Sequence, residues 1–463
     1  MKNNIKGNLR NWWSRIKDNF KAWTKDYFLV NLLFALLSAI SLFLAFVTTL
    51  KVLFSLIFSL FLFINFWNWK WWISFSILCL IFVLSYWINQ VYLNKMVGPI
   101  DGVFPIFKNS KKDLIIMING YKVLIKVMLE EEKYYLKIAG NISIINFPNY
   151  YQTSQQIFLE ILDAKIEHFA PYETPIENFI YRYDNNAGHY ISLLVFNKQN
   201  FNNKLIYKKL INLNIVHLFA ISGFHFGLLF FAGNKIIKKV KFARNVSEPI
   251  ILLILFLYLI VLNFPISASR AFLLLVLWWI NEKFFNKKFT KITLLVFIVI
   301  FFIMINPWTI FSFSFIYSVT LTFIILIVYD LTRKFKSEFL RILLVLLSAY
   351  ISSFFISLAI NKTFSVLGFF YQLIFTPIIS FSYIFSILFI WSKYLTYVYF
   401  LILDKFITIC SNANIKVAVP EKLYLLPIII NTLFFISINI KKIGEVNKTT
   451  LPNYSKAFQT LPQ

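Results

Sequence analysis

The chain has 463 residues, of which 59% are hydrophobic, and a mean hydropathy of +0.70. It carries 46 Lys and Arg against 20 Asp and Glu, a formal net charge of +26. A soluble core does not absorb so much apolar sequence, and repeated apolar runs of about 20 residues read as membrane spans, which excludes an ordinary water-soluble globule.

The first 26 residues hold seven Lys and Arg against Asp18 and Asp26. Apolar runs follow at about 27–50, 52–67 and 73–93. The first is too long for the apolar core of a signal peptide and lacks a small-residue cleavage site. Basic loops recur at Lys235–Arg244, Lys283–Lys291 and Arg333–Arg341. By the positive-inside rule these loops and the N-terminus face the cytoplasm. Three crossings then put residue 94 outside, where a polar segment runs to about 205 with twelve Lys and Arg and eleven acids.

Within that segment DLIIMIN (113–119), YKVLIKVML (121–129), YYLKI (134–138), ISIINF (142–147) and IFLEILDAKIEHF (157–169) are strand-like. Their lengths and polar turns predict a five-stranded barrel of the OB type. Its charge is segregated: residues 95–126 hold six lysines and two acids, residues 130–184 four basic residues and nine acids. Lys108, Lys111, Lys112, Lys122 and Lys126 are the candidates for a face that tracks a phosphate backbone, with an ordinary solvated charge mixture as the competing reading. Residues 173–216 read as an interfacial helical region. Spans near 217–233, 250–264, 268–281, 291–305, 308–329, 342–361, 364–391, 395–410 and 422–440 return a tail from 441 to the cytoplasm. The fold class expected is therefore a polytopic α-helical membrane protein of about 10–12 spans with a small extracytoplasmic OB-like β domain (94–172). It has basic cytoplasmic residues 1–26, three N-terminal helices (27–93), a transmembrane domain (217–440), both termini cytoplasmic and the cell membrane as its location.

Three polar stretches interrupt this pattern. NIVHLFAISGFHFGLLFFAG (214–233) places two histidines, a serine and three glycines in an apolar run. Gly223 and Gly227 form a small-xxx-small pair that admits a neighbouring helix. Ser222–Gly223 also loosens the helical ladder, and broken helices occur in membranes where backbone lines a cavity. On an unbroken helix His217 and His225 would lie within roughly 80° of one another. In NFPISASRAFLLL (263–275), Arg270 either reaches to the interface or faces a cavity and meets an anion. In INPWTIFSFSFIYSVTLTF (305–323), Asn306–Pro307 marks a turn before a serine-bearing span. Cys79 and Cys410 have no metal-type spacing, and no GxxxxGK[ST] or HxHxDH motif occurs, so no cofactor, P-loop or metal-hydrolase chemistry is expected and the chain is not read as an enzyme.

These three stretches, in this order, resemble the ComEC-type DNA-uptake channel family of naturally transformable bacteria. HLFAISGFHFGLL is similar to that family's HLLAISGLHVGLL signature, and PISASRAFLLL and NPWTIFSFSFIYSVT to its next two elements. YQLIFTPI (371–378) is a weaker fourth match. The resemblance implies conduction of single-stranded DNA across the cytoplasmic membrane. It implies that His217, Ser222, Gly223, His225, Gly227 and Arg270 belong to the core of the channel domain, with Asn306 and Pro307 in its third element. The implied partners are single-stranded DNA, membrane lipids, a cytosolic ATP-driven DNA translocase, an extracytoplasmic DNA receptor, and a separate nuclease if the second strand is degraded. Many members carry a metallo-β-lactamase-like nuclease domain whose ligands are absent from this sequence. Ser312, Ser314, Ile316 and Gln372 depart from the family pattern. A small-solute or lipid transporter on a similar helical fold is the alternative, disfavoured by the scarcity of Asp and Glu in the spans and by the lack of a clear inverted repeat.

Overall fold

The computed structural model describes residues 69–418, except 110–112, 128–134, 146–147, 149, 169–178, 180–182, 184–185, 199–203, 220, 240–245, 333–336, 362 and 366, together with Leu32, 35–44, 55–60 and Leu62. The run expected at 422–440 and both termini lie outside the described residues. The chain divides into two compact units, one of residues 1–178 and 226–319, the other of 179–225 and 320–463.

In the first unit, helix α1 (Ala35–Leu44) packs with α2 (Trp69–Lys95). The inward stripe of α2 is Trp71, Phe75, Leu78 and Phe82, spaced four, three and four residues apart as a 3.6-residue period requires. Its opposite stripe, Ile73, Ile77, Leu80, Leu84 and Trp87, is equally apolar and exposed. An outward face of that kind is not one that water covers.

A closed barrel follows, in the order β1-β2-β3-β5-β4, from β1 (Gly98–Asn109), β2 (Leu114–Ile118), β3 (Tyr121–Ile125), β4 (Tyr135–Ile144) and β5 (Ile157–His168). The β3–β5 pairing is parallel and all others antiparallel, with the short helix α3 (Tyr150–Gln155) leading into β5. Asn119 and Gly120, at φ 49° and 84°, form the two-residue turn of the β2–β3 hairpin, the pairing that a left-handed Asn-Gly turn favours.

The number of strands matches the expectation, but their identities differ in two places. GPIDGVFPIFKN is strand β1, which its two prolines and two glycines disguise. The pieces expected at 134–138 and 142–147 are one strand, continuous through Gly140. A Cβ there would sit 2.6 Å from Ile161 Cγ2 and 3.0 Å from the Leu162 carbonyl, so glycine permits the close approach of β5 where the register shifts.

The remainder of this unit holds helices α7 (Gly223–Ile237, from Phe226 onward), α8 (Ser247–Val261), α9 (Ile266–Lys283) and α10 (Lys291–Ile305), then a 3-10 turn, Pro307–Phe311. The second unit packs α4 (Asn186–Leu194), α5 (Lys204–Asn212) and the single turn α6 (Val216–Phe219) against α13 (Gly368–Leu388) and α14 (Lys393–Asn412). Tyr190 stacks on Phe400 at 5.1 Å in that core. This unit also holds α12 (Glu338–Asn361) and a two-stranded sheet of β6 (Thr363–Ser365) and β7 (Lys416–Ala418); α11 (Phe313–Leu331) is divided, its residues up to Val319 belonging to the first unit and those from Thr320 to the second.

The molecule is thus mostly helical with a small β-barrel. Among the described residues five helical runs are long and apolar enough to cross a membrane: Trp71–Lys95, Val216–Ile237, Ser314–Leu331, Gly368–Leu388 and Lys393–Asn412. Helices α8 and α10, of 15 residues each, are about 22 Å long and shorter than a hydrocarbon core about 30 Å thick.

Candidate functional site

The run from Val216 is not one helix. α6 ends at Phe219, Ile221 and Ser222 are non-helical, and α7 begins at Gly223. The weakness expected at Ser222–Gly223 is therefore a break, and the shared helical face of His217 and His225 does not exist. Two amides of the unwound stretch find side-chain acceptors. Ile221 N–H donates to Asn197 Oδ1 at 3.5 Å, and Ser222 N–H donates to His225 Nδ1 at 3.2 Å.

Ser222 is the residue before the helix and His225 the third residue within it. The bond is one half of a capping box, with imidazole in the place usually held by Glu or Gln. A backbone N–H can only donate, so Nδ1 carries no proton and the ring is the neutral tautomer protonated on Nε2. Ser222 Oγ also lies 3.2 Å from Nδ1. The ring is only 2% exposed and meets Tyr383 edge-on, centroid to centroid 4.5 Å. His217 sits half-buried in α6.

Helix α13, which supplies Tyr383, runs unbroken through Pro377. It is rich in hydroxyls bonded to its own carbonyls: Thr376, Ser380, Ser382 and Ser386 each donate four residues back. Ser382 Oγ also lies 2.7 Å from Tyr399 Oη of α14. Gln372, of the fourth sequence element, reaches the Asn214 carbonyl at 3.3 Å and Ser353 Oγ at 3.4 Å, tying the turn before α6 to α12 and α13.

The sequence reading missed the polar cluster beside this site. Asp404 of α14 accepts from Tyr190 Oη at 2.9 Å and from Lys209 Nζ at 3.2 and 3.3 Å, and Lys209 also donates to Thr408 Oγ1 at 2.7 Å. Burial and the Asp404 carboxylate hold the Tyr190 phenol well above the ordinary tyrosine range. The cluster pins α4 and α5 to α14 across separations of 214 and 195 residues, which no local pattern signals.

In the first unit Arg270 lies in the second turn of α9 with 4% of its surface exposed, beside Ala268, Ser269 and Ala271, so it does not reach outward. The chain enters α9 through Asn263 and Phe264, at φ 58° and 52°. Consecutive non-glycine residues in the left-handed region store strain that the packing must hold.

Asn306 and Pro307 form a joint. Asn306 caps the 3-10 turn by accepting from Trp308 N–H at 3.0 Å, and its amide lies 3.4 Å from Gln156 Oε1 of the barrel. Gln156 in turn donates to Thr309 Oγ1 at 3.4 Å. Trp308 and Phe311 enter the core of the barrel with Leu114, Ile116, Val123 and Ile138, and the Trp308 ring is 4.7 Å from Phe158. Ser85 and Asn89 of α2 donate to the Ile303 and Ile305 carbonyls, satisfying acceptors that the end of α10 leaves open.

Gly227 is not a point of close approach: among the described residues nothing lies within 4 Å of a Cβ placed there. At Gly233 such an atom would meet Ile251 of α8. Of the five candidate lysines, Lys111, Lys112 and the Lys108 side chain lie outside the described residues. Lys122 donates to the Gln155 carbonyl at 2.9 Å, and Lys126 pairs with Glu160 at 2.9 Å, which raises its pKa.

Residues 194–439 match the Competence protein family. An uncharacterized protein of Mycoplasma genitalium is 32% identical over 191 residues, 41% of this chain and 48% of its own length. An uncharacterized homologue from Mycoplasma pneumoniae is 27% identical over 224 residues, 48% of this chain and 57% of its own length. The chain thus spans about half the length of the curated relatives it matches. No solved structure matches.

Proposed function

Because the chain belongs to the Competence protein family, whose match covers residues 194–439 and implies a part in DNA uptake, we propose that it is a membrane channel conducting single-stranded DNA across the cytoplasmic membrane. The observation that carries this reading is the non-helical stretch at Ile221 and Ser222 inside an otherwise apolar run, within the family match. A break in lipid leaves amides that need partners, and it is tolerated where the backbone faces protein or a water-filled path. Here Asn197 and the neutral His225 ring take the two amides. The break also sets the partial positive charge of a helix N-terminus within the segment, which favours an anionic neighbour such as a phosphate.

In this reading His217, Ser222, Gly223, His225 and Gly227 are arranged along the path of the strand, and the buried Arg270 offsets phosphate charge. The outward apolar stripe of α2 and the exposed Leu253, Ile254, Leu257 and Ile260 of α8 face lipid. The barrel is OB-like and extracytoplasmic, joined to the membrane helices by Asn306 and Trp308, and both termini are cytoplasmic. Residues 108–126 of the barrel meet the incoming strand, with salt-sensitive binding. A cytosolic ATP-driven translocase supplies the pull, an extracytoplasmic receptor delivers the DNA, and any degradation of the second strand belongs to a separate nuclease.

The test is uptake of labelled DNA into cells lacking the protein and into the same cells with wild type or His225→Ala restored. Uptake lost on deletion and recovered only by wild type supports the channel. Uptake indifferent to deletion removes it.

A further inference from the structure

At one end of the first unit, α7 finishes, α8 starts, α9 finishes and α10 starts. Lys235, Lys238, Lys239, Lys283, Lys287, Lys288 and Lys291 are exposed there. Glu248 lies between Lys238 and Lys283, at 3.8 and 3.3 Å, and Glu282 pairs with Lys287 at 2.8 Å, so among the described residues the end carries seven ammonium groups against these two carboxylates. Aromatic rings are interleaved with them. Phe284 is 71% exposed and Phe285 is exposed beside it, while Lys291 lies over the Trp278 ring at 5.8 Å and Lys288 over Phe289 at 5.9 Å.

The loop that presents these groups is built rather than slack. The buried Asn281 side chain clamps Phe289 at both backbone atoms, donating to its carbonyl at 2.9 Å and accepting from its N–H at 3.1 Å. Lys287 N–H closes back on the Asn281 carbonyl at 2.9 Å. Asn286 and Lys287 both stand in the left-handed region, at φ 47° and 60°. Strain of this kind persists only where surrounding contacts hold it, and it gathers where a side chain must be aimed. Directly beyond the lysines the same helices turn exposed leucine and phenylalanine outward, at Leu253, Leu257 and Phe231.

We propose that this lysine and phenylalanine collar is a docking surface for the headgroups of anionic phospholipids. Charge complementarity selects the phosphate, the rings enter the headgroup layer, and the apolar faces continue into the acyl region. The inference rests on the membrane reading of these helices. Carbonate extraction of cell membranes tests that reading separately: release of the protein would remove both, whereas retention leaves the collar to its own test.

That test is native mass spectrometry of the full chain in neutral detergent, titrated with phosphatidylglycerol and with phosphatidylcholine. Wild type prefers phosphatidylglycerol, and Lys288→Gln/Lys291→Gln lowers the preference on the order of tenfold. A matched charge loss on the barrel, Lys137→Gln/Lys165→Gln, leaves it unchanged. Equal loss in both variants means that only net charge matters and overturns the proposal, as does full retention in the collar variant. A single-stranded oligonucleotide that displaces phosphatidylglycerol from wild type, and binds less to the collar variant, would assign the surface to nucleic acid instead.

Discussion

His225→Ala removes the acceptor that holds the start of α7. The half-buried Ser222 N–H, left without its partner, costs about 1–3 kcal/mol, and loss of the edge-on contact with Tyr383 adds about 0.5–1.5 kcal/mol. The variant is therefore destabilised by about 1.5–4.5 kcal/mol, the sum of those two effects. His225→Gln restores an acceptor of the type a capping box uses, and only the ring contact is lost, about 1 kcal/mol. Hydrogen–deuterium exchange of the purified chain in detergent, read on the peptide spanning 216–230, separates the two contributions. The Ser222 amide exchanges roughly tenfold to a hundredfold faster in the alanine variant, from the hydrogen-bond share alone, and close to the wild-type rate in the glutamine variant. If the alanine variant exchanges as slowly as wild type, or if glutamine is no better than alanine, the ring does not cap α7 and the account of the break fails.

Trp308→Ala empties the joint between barrel and helices and costs about 3–5 kcal/mol; proteolysis of the intact chain should then cut between 95 and 170 sooner than in wild type. Asp404→Asn leaves Lys209 without its carboxylate in a half-buried site and costs about 2 kcal/mol, below the 3–5 of a fully buried pair, with a lowered unfolding temperature and a partial rescue when Lys209→Met is added. Gly140→Ala drives a methyl against Ile161 and the Leu162 carbonyl and costs about 1–3 kcal/mol, visible as loss of β signal at a lower temperature. Burial lowers the His189 pKa. The unfolded chain therefore binds a proton first as pH falls below about 6.5, and stability is lost from there down through the folded-state pKa. His189→Gln should flatten that part of the pH profile.

Much of this architecture is legible in local pattern. The Asn119–Gly120 hairpin, the break at Ser222–Gly223 and the turn at Asn306–Pro307 each rest on residues whose backbone preferences act within a few positions. Strand β1 was hidden because prolines and glycines, which argue against a central strand, sit where the barrel tolerates them. The role of His225 was within reach: Ser-x-x-His before an apolar helix has the spacing of a capping box, with an unusual acceptor. The pairing of Asn306 with Gln156 and of Asp404 with Lys209 joins residues 150 and 195 positions apart. Only the fold brings them together, and no periodicity carries that information. The glycine at a close helix approach was sought at Gly227 and lies at Gly233, because which face of α7 meets α8 depends on tertiary packing.

The most direct measurement of the central claim is photo-crosslinking during uptake, with p-benzoylphenylalanine replacing Phe224 at the break or Leu257 on the outward face of α8. The account predicts adducts of incoming labelled strand at 224, sensitive to digestion by a single-strand-specific nuclease, and none at 257. Equal labelling at both positions, or no adduct at 224 in cells that still take up DNA, would mean that the strand does not pass this segment.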